Sequence, residues 1–164
     1  MGLIEEDISP SEERIINTGE KELTINFDGS YRFSYGKHEF GCGWVMKLNG
    51  VFLVSKSFGG ETKGPYSSNA AEYRALKDAI EFLMKFENIE FDRLKIIGDS
   101  RLVINQISKK WKIHSGIYVV EAKKVKDYLD RNFHNNIEFV WVSRNNNQEA
   151  DELSKEGLNN YSRQ

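Results

Sequence analysis

The feature that most constrains this chain is a change of period. Through "ELTINFDGSY", Leu23, Ile25 and Phe27 alternate with polar residues, which marks a strand with one buried face. Two further β runs, in "GCGWVMKLNGVFLVSKSFGG", meet at Asn49-Gly50, a dipeptide that accepts the positive φ angles of a two-residue hairpin. Residues 22 to 58 are therefore expected to form three sequential antiparallel strands. The period then becomes helical: in "SNAAEYRALKDAIEFLMKF", Ala71, Ala75, Leu76, Ala79, Ile80 and Leu83 share one face. The short apolar run "LKII" suits a strand covered on both sides. Helices are expected from Ser100 to about Lys110 and over residues 117 to 133, then a strand at "IEFVWV" and a closing helix in "NQEADELSKE" that stops at Gly157 as its C-cap. The order βββαβααβα implies a three-layer α/β domain on a five-stranded mixed sheet.

Four carboxylates stand at the junctions of these elements. Asp28 lies in the first strand, Glu72 near the start of the first long helix, Asp99 at the end of the buried fourth strand, and Asp151 in the last helix. A charge at the mouth of a core strand is costly without a partner. If strands one and four are neighbours, all four acids converge, and converging acids resist joint ionisation. Divalent cations remove that cost, and an oxygen-only donor set favours Mg²⁺ or Mn²⁺ over zinc. Singly, each acid has a plainer explanation. Asp28 suits a turn or bulge, Glu72 stands three residues after Asn69 as in a capping box, Asp99 could hold first-turn amides, and Asp151 has Lys155 one helical turn on.

Composition narrows the class. There is one cysteine, Cys42, so an intramolecular disulfide is excluded and a thiolate zinc site disfavoured. No run of about 18 apolar residues exists to span a bilayer, and the acidic start of the chain is no secretory signal. A monomer without membrane contact is expected, cytoplasmic, with nucleoid or nucleus as other intracellular locations. The net charge of −2 hides an asymmetry: residues 1 to 22 sum to −5, leaving +3 for the rest. Residues 1–20 read as an acidic arm, flexible and a candidate protein contact. Residues 21–158 form the domain, and 159–164 a tail.

"INFDGSY", "SSNAAEYRAL", "IIGDSRLVINQI" and "EFVWVSRNNNQEADELS" resemble, in order and spacing, the four motifs of the type I ribonuclease H family, in its compact reverse-transcriptase-like form without a basic protrusion. The resemblance implies a ribonuclease H-like fold and an endonuclease that cuts the RNA strand of RNA/DNA hybrids, leaving 5′ phosphate and 3′ hydroxyl. It also implies two cations about 4 Å apart that clamp the entering and leaving oxygens. Asp28 would bridge both ions, Asp151 would complete the site that activates water, and Glu72 and Asp99 would hold the second ion. Two rivals remain at this stage: the same site acting on double-stranded RNA or other structured nucleic acid, and a non-catalytic nucleic-acid-binding module.

For substrate contacts the resemblance points to Gly29 and Ser30 beside the first acid and to Ser67, where the family often binds a DNA-strand phosphate. It points also to Asn69 at the minor groove, Trp111 and Lys112 along the DNA-strand channel, and Arg144 and Asn147 in the loop before the last acid. Six lysines between Lys109 and Lys126, against Glu121 alone, suit phosphate contact; a solvated helix face would look the same. The chain departs from that family's pattern twice. "YRFSYGKHEFGCGW" replaces a Gly-Asn-Pro-Gly-like turn, and Arg144 stands in the neighbourhood of a mobile histidine. Arginine cannot shuttle a proton near neutral pH, so its help would be electrostatic. His38, His114 and His134 are given no catalytic role.

Overall fold

A computed structural model describes residues 20–86, 88–113, 116–133 and 136–162. The alternating segment forms β1 (Glu22–Ser34), β2 (Lys37–Leu48) and β3 (Val51–Thr62). There follow α1 (Ser68–Lys85), β4 (Arg93–Gly98), α2 (Arg101–Ile107), α3 (Val119–Asn132), β5 (Ile137–Trp141), a 3₁₀ turn (Arg144–Asn146) and α4 (Gln148–Ser162). The sheet runs β3-β2-β1-β4-β5. β1 is antiparallel to β2 and parallel to β4, and β4 is parallel to β5. This is the expected mixed sheet, three antiparallel strands and then two parallel ones. Residues 1–19, His114 and His134 lie outside the described residues, so the expected acidic arm does too, apart from residue 20.

Period decides which face goes where. Leu23, Ile25 and Phe27 of β1, Trp44 and Met46 of β2, and Leu94 and Ile96 of β4 point to one side. There they meet Ala71, Ala75, Leu76, Ala79 and Ile80 of α1 and Val125 of α3. Burying each large side chain is worth about 1.5–3 kcal/mol. α4 covers the other side, against β1, β2 and β3. It can lie so close because the contact is built from glycine: a Cβ on Gly41 would stand 2.0 Å from the Ser154 carbonyl oxygen, and one on Gly157 would stand 2.2 Å from that of Phe58. Both hairpin turns have two residues at positive φ, Tyr35 (51°) with Gly36 (74°) and Asn49 (50°) with Gly50 (81°), as a type I′ turn requires.

Three expectations change. The closing helix does not stop at Gly157: residues 159–162, expected as tail, continue it to Ser162, because Gly157 serves the approach to β3 rather than an exit from the helix. The Ser100 helix ends at Ile107 rather than Lys110, and Lys109 then takes a positive φ of 68°, which no α-helix continues. Asn69 and Glu72 form no capping box. Ser67 is the N-cap of α1, its Oγ accepting from the Ala70 N–H at 3.1 Å, which puts Asn69 inside the first turn. Among the described residues, no helix is long and apolar enough to cross a membrane.

Candidate active site

The site forms where β1 and β4 stop pairing. Their register closes at Asn26 opposite Ile97, so continuing it by two residues sets Asp28 beside Asp99. Glu72 comes over them from the second turn of α1. Carboxylate oxygens of Asp28, Glu72 and Asp99 all lie within 4.8 Å of one another. Asp28 and Glu72 are only 3% and 6% exposed. Glu72 Oε2 is buried without a hydrogen-bond partner among the described residues. Asp151 reaches the group through a hydrogen bond with Asp28, and its Oδ2 also pairs with Lys155 at 2.9 Å. The plain ion pair expected of Asp151 is therefore real; the oxygens within 4.8 Å of one another are those of Asp28, Glu72 and Asp99, and Asp151 stands beside them through its hydrogen bond with Asp28.

A buried frame holds the acids. Ser154, one turn beyond Asp151 and fully buried, donates from Oγ to Asp28 Oδ2 at 3.1 Å. Asn147 Nδ2 donates to the Phe27 carbonyl at 2.9 Å and to Asp99 Oδ2 at 3.4 Å, while Asn147 Oδ1 accepts from Asn26 Nδ2 at 3.1 Å. Trp141 Nε1 donates to the Asp99 carbonyl at 3.0 Å, and the Arg101 guanidinium lies 4.3 Å over the Trp141 ring.

Burial pushes the Asp28 carboxyl from its ordinary 3.8 up to about 6; Asp99 and Asp151 push the same way, against a hydrogen bond from Glu72. Burial likewise pushes Glu72 well above its usual range, helped by its hydrogen bond to Asp28 and the charges of Asp28 and Asp99, while the Gly29 N–H opposes. Burial pushes Asp151 up as well, but Lys155, the hydrogen bond with Asp28 and the Arg144 charge outweigh it and hold the group below its usual range. Without cations, then, burial and mutual repulsion favour the protonated forms of Asp28 and Glu72, while Lys155 and Arg144 favour the ionised form of Asp151.

The model of the family described as reverse transcriptase-like matches residues 26–157, the span that carries all four acids. The chain belongs to this reverse-transcriptase-like, type I ribonuclease H family. It is 30% identical over 132 residues to the ribonuclease HI of Halobacterium salinarum, covering 80% of this chain and 62% of that protein. Over 141 residues it is 28% identical to the bifunctional protein Rv2228c of Mycobacterium tuberculosis, covering 84% of this chain and 35% of that one. The chain thus spans less than two thirds of these relatives' length. The crystal structure of the Halobacterium salinarum RNase H1 aligns with a TM-score of 0.70 at 25% identity, over 85% of this chain and 98% of that one. LC11-RNase H1, isolated from compost, was solved in complex with an RNA/DNA hybrid; it aligns with a TM-score of 0.71 at 27% identity, over 84% and 97% of the two chains.

In this ribonuclease H frame the other expected residues divide. Asn69 and Ser67 lie at the start of α1, half-buried, with Ser100 Oγ donating to Asn69 Oδ1 at 3.4 Å. Trp111 and Lys112 are exposed on the loop after α2, and Arg144 is exposed on the 3₁₀ turn. Gly29 and Ser30 serve packing: a Cβ on Gly29 would stand 2.3 Å from the Glu72 nitrogen, and Ser30 Oγ donates to the Ser154 carbonyl at 3.1 Å. Asn147, expected to touch substrate, is instead 2% exposed, with its amide committed to Phe27, Asp99 and Asn26, so it orients Asp99.

Sequence reading missed Ser154, Asn26, Trp141 and Gln106. Ser154 was signalled by its spacing, three residues after Asp151. Gln106 is fully buried. It accepts from the Tyr73 hydroxyl at 2.7 Å, and its Nε2 donates to the Lys112 carbonyl at 3.2 Å and the Tyr118 hydroxyl at 3.3 Å. The loop bearing Trp111 is thereby tied to the helix bearing Glu72.

Proposed function

We propose that this chain hydrolyses the RNA strand of RNA/DNA hybrids, using two divalent cations, Mg²⁺ or Mn²⁺, held by Asp28, Glu72, Asp99 and Asp151. The observation that carries this conclusion is Glu72 Oε2, a buried carboxylate oxygen with no hydrogen-bond partner among the described residues, set beside Asp28 and Asp99 so that the three offer oxygens within 4.8 Å of one another. Leaving such an oxygen unsatisfied costs free energy, and a hard cation is the partner an oxygen-only donor set fits. The hybrid-bound LC11 relative supports the substrate class.

When bound, the cations supply the positive charge that offsets the acids and stabilises the entering and leaving oxygens at phosphorus. The chain's own residues do the rest. Ser154 and Asn147 fix the carboxylates of Asp28 and Asp99, so the ligand set is organised before substrate arrives. Burial and mutual repulsion disfavour joint ionisation of Asp28 and Glu72, so bound cations would favour their carboxylate forms and metal uptake would be coupled to proton release. Asp151, kept ionised by Lys155 and Arg144, presents a carboxylate through neutral pH. Arg144 steers phosphate toward the site, Asn69 and Ser67 meet one edge of the hybrid, and Trp111 with Lys112 lines the path of the DNA strand. Cleavage leaves a 5′ phosphate and a 3′ hydroxyl.

The test is incubation with an RNA/DNA hybrid, an RNA duplex and a DNA duplex of one sequence, in Mg²⁺, in Mn²⁺ and in EDTA. Internal cuts confined to the RNA strand of the hybrid, and absent in EDTA, are the expected result. Intact hybrid in every metal refutes the proposal; equal cutting of the RNA duplex refutes its substrate.

A further inference from the structure

The β1–β2 hairpin carries a feature that the cleavage site does not use. On one sheet face, rings run outward from the start of α1. Tyr66, next to the N-cap Ser67, contacts Tyr31 (centroids 6.5 Å apart) and Phe40 (5.5 Å). Tyr31 stacks with His38 at 6.0 Å and an interplanar angle of 13°, its hydroxyl 2.6 Å from His38 Nδ1. His38 lies 4.5 Å from its cross-strand partner Phe33. The row ends in water: Phe33 is 60% exposed, and Tyr35 at the turn is fully so. Lys37 and Lys63 are exposed at this end. The nearby acids face elsewhere, Glu39 bonded to Arg32 and Glu61 to Tyr161.

The backbone adds a second observation. The β2–β3 hairpin turns on Asn49-Gly50, the residues such turns prefer, whereas the β1–β2 hairpin sets Tyr35 in the left-handed region at φ 51°. A side chain other than Asn or Asp is disfavoured there by roughly 1–2 kcal/mol, and this one gains no burial in return. An exposed ring held against local backbone preference, beside lysines and at the end of a row of rings, has the make-up of a stacking platform for unpaired bases.

We propose that Phe33 and Tyr35 bind a single-stranded extension of the hybrid, stacking its bases while Lys37 and Lys63 meet its phosphates. The substrate class is thereby narrowed to hybrids flanked by single-stranded nucleic acid, such as the edge of a displaced strand or a primer end. This inference rests on the hybrid reading given above.

The test is fluorescence anisotropy in EDTA with three labelled probes: a blunt hybrid, the same hybrid with an unpaired extension of about eight nucleotides at either end, and the single strand alone. In the unaltered protein the extension at one end is expected to tighten binding about tenfold, as stacking of one or two bases would. Two variants then separate function from fold. Phe33→Ala loses one ring. Tyr35→Asn loses the other while relieving the turn, so it should melt no lower than the parent. Together they are expected to abolish the advantage of the extension and leave cutting of the blunt hybrid unchanged. Equal affinity for blunt and extended hybrids in the unaltered protein overturns the inference, and so does an advantage that survives both substitutions. Failure of the hybrid reading would look different: no metal-dependent cutting of the blunt hybrid, whatever the single-strand probe does.

Discussion

Replacing Asp28 by Asn is expected to stabilise the metal-free protein while ending its activity. The reasoning starts from burial: Asp28 is 3% exposed beside two other carboxylates, and its carboxyl is pushed from 3.8 to about 6. A group whose folded-state pKa is raised binds more protons in the native state than in the unfolded one. Stability therefore falls as pH rises from about 4 through about 6, and the loss persists above that range. About two units at 1.36 kcal/mol each amount to roughly 3 kcal/mol at neutral pH. Asn carries no charge and keeps an oxygen to accept from Ser154 Oγ, so most of that loss should be recovered. For a chain of this size the recovery corresponds to a rise of roughly 6–12 °C in melting temperature. The assay is thermal and urea unfolding in EDTA, parent against variant, at about pH 8 and about pH 4. The gap should be present at the higher pH and shrink to a small remainder at the lower, where Asp28 is protonated in the folded state and about half protonated in the unfolded one. Added Mg²⁺ should raise the parent toward the variant. No gap at about pH 8, or the same gap at both, would refute the picture of a buried, mutually repelling cluster.

Asp151→Asn should lower hybrid cleavage by more than about 100-fold with little change in melting temperature; steady-state turnover near the parent's would remove Asp151 from the site. Gln106→Leu leaves the Tyr73 hydroxyl and the Lys112 carbonyl without partners, at a cost of about 1–3 kcal/mol. It should also raise KM for hybrid several-fold with kcat nearly unchanged, because the Trp111 loop loosens while the acids stay put; an equal fall in both parameters would contradict this. Gly157→Ala forces a Cβ to 2.2 Å from the Phe58 carbonyl oxygen and should destabilise by about 1–3 kcal/mol, read as an earlier urea midpoint at unchanged slope.

Local signals carried much of this structure. Asn49-Gly50 fixed one hairpin because its turn chemistry needs no distant contact, and Leu23, Ile25 and Phe27 declared the buried face of β1 through period alone. Asp28, Glu72 and Asp99 stood out because charge at the junctions of apolar elements calls for a partner. What remained hidden depends on where the chain returns in space. Gly157 resembles a helix stop until β3 is known to lie against it. Asn147 resembles a loop side chain free for substrate until the Phe27 carbonyl and Asp99 close around its amide. The Asn69–Glu72 spacing fits a capping box, but Ser67 caps the helix two residues earlier. Gln106 gave no sign, since its partners come from α1 and from the loop and residue that precede α3.

The pairing of β1 with β4, and the delivery of Asp151 by α4, also bear on how the protein is made. As the chain leaves the ribosome, the first two hairpins can close among neighbours, yet they contain only Asp28 of the four acids. Glu72 and Asp99 arrive with α1 and β4, and Asp151 only with the final helix. At ordinary synthesis rates the interval between the first and the last acid is on the order of ten seconds. Through that time the growing chain would lack the complete set of four acids that the proposed cleavage requires. On the proposed reading the ligand set is completed only when α4 settles on its glycine bed, so a chain interrupted before Asp151 would lack it.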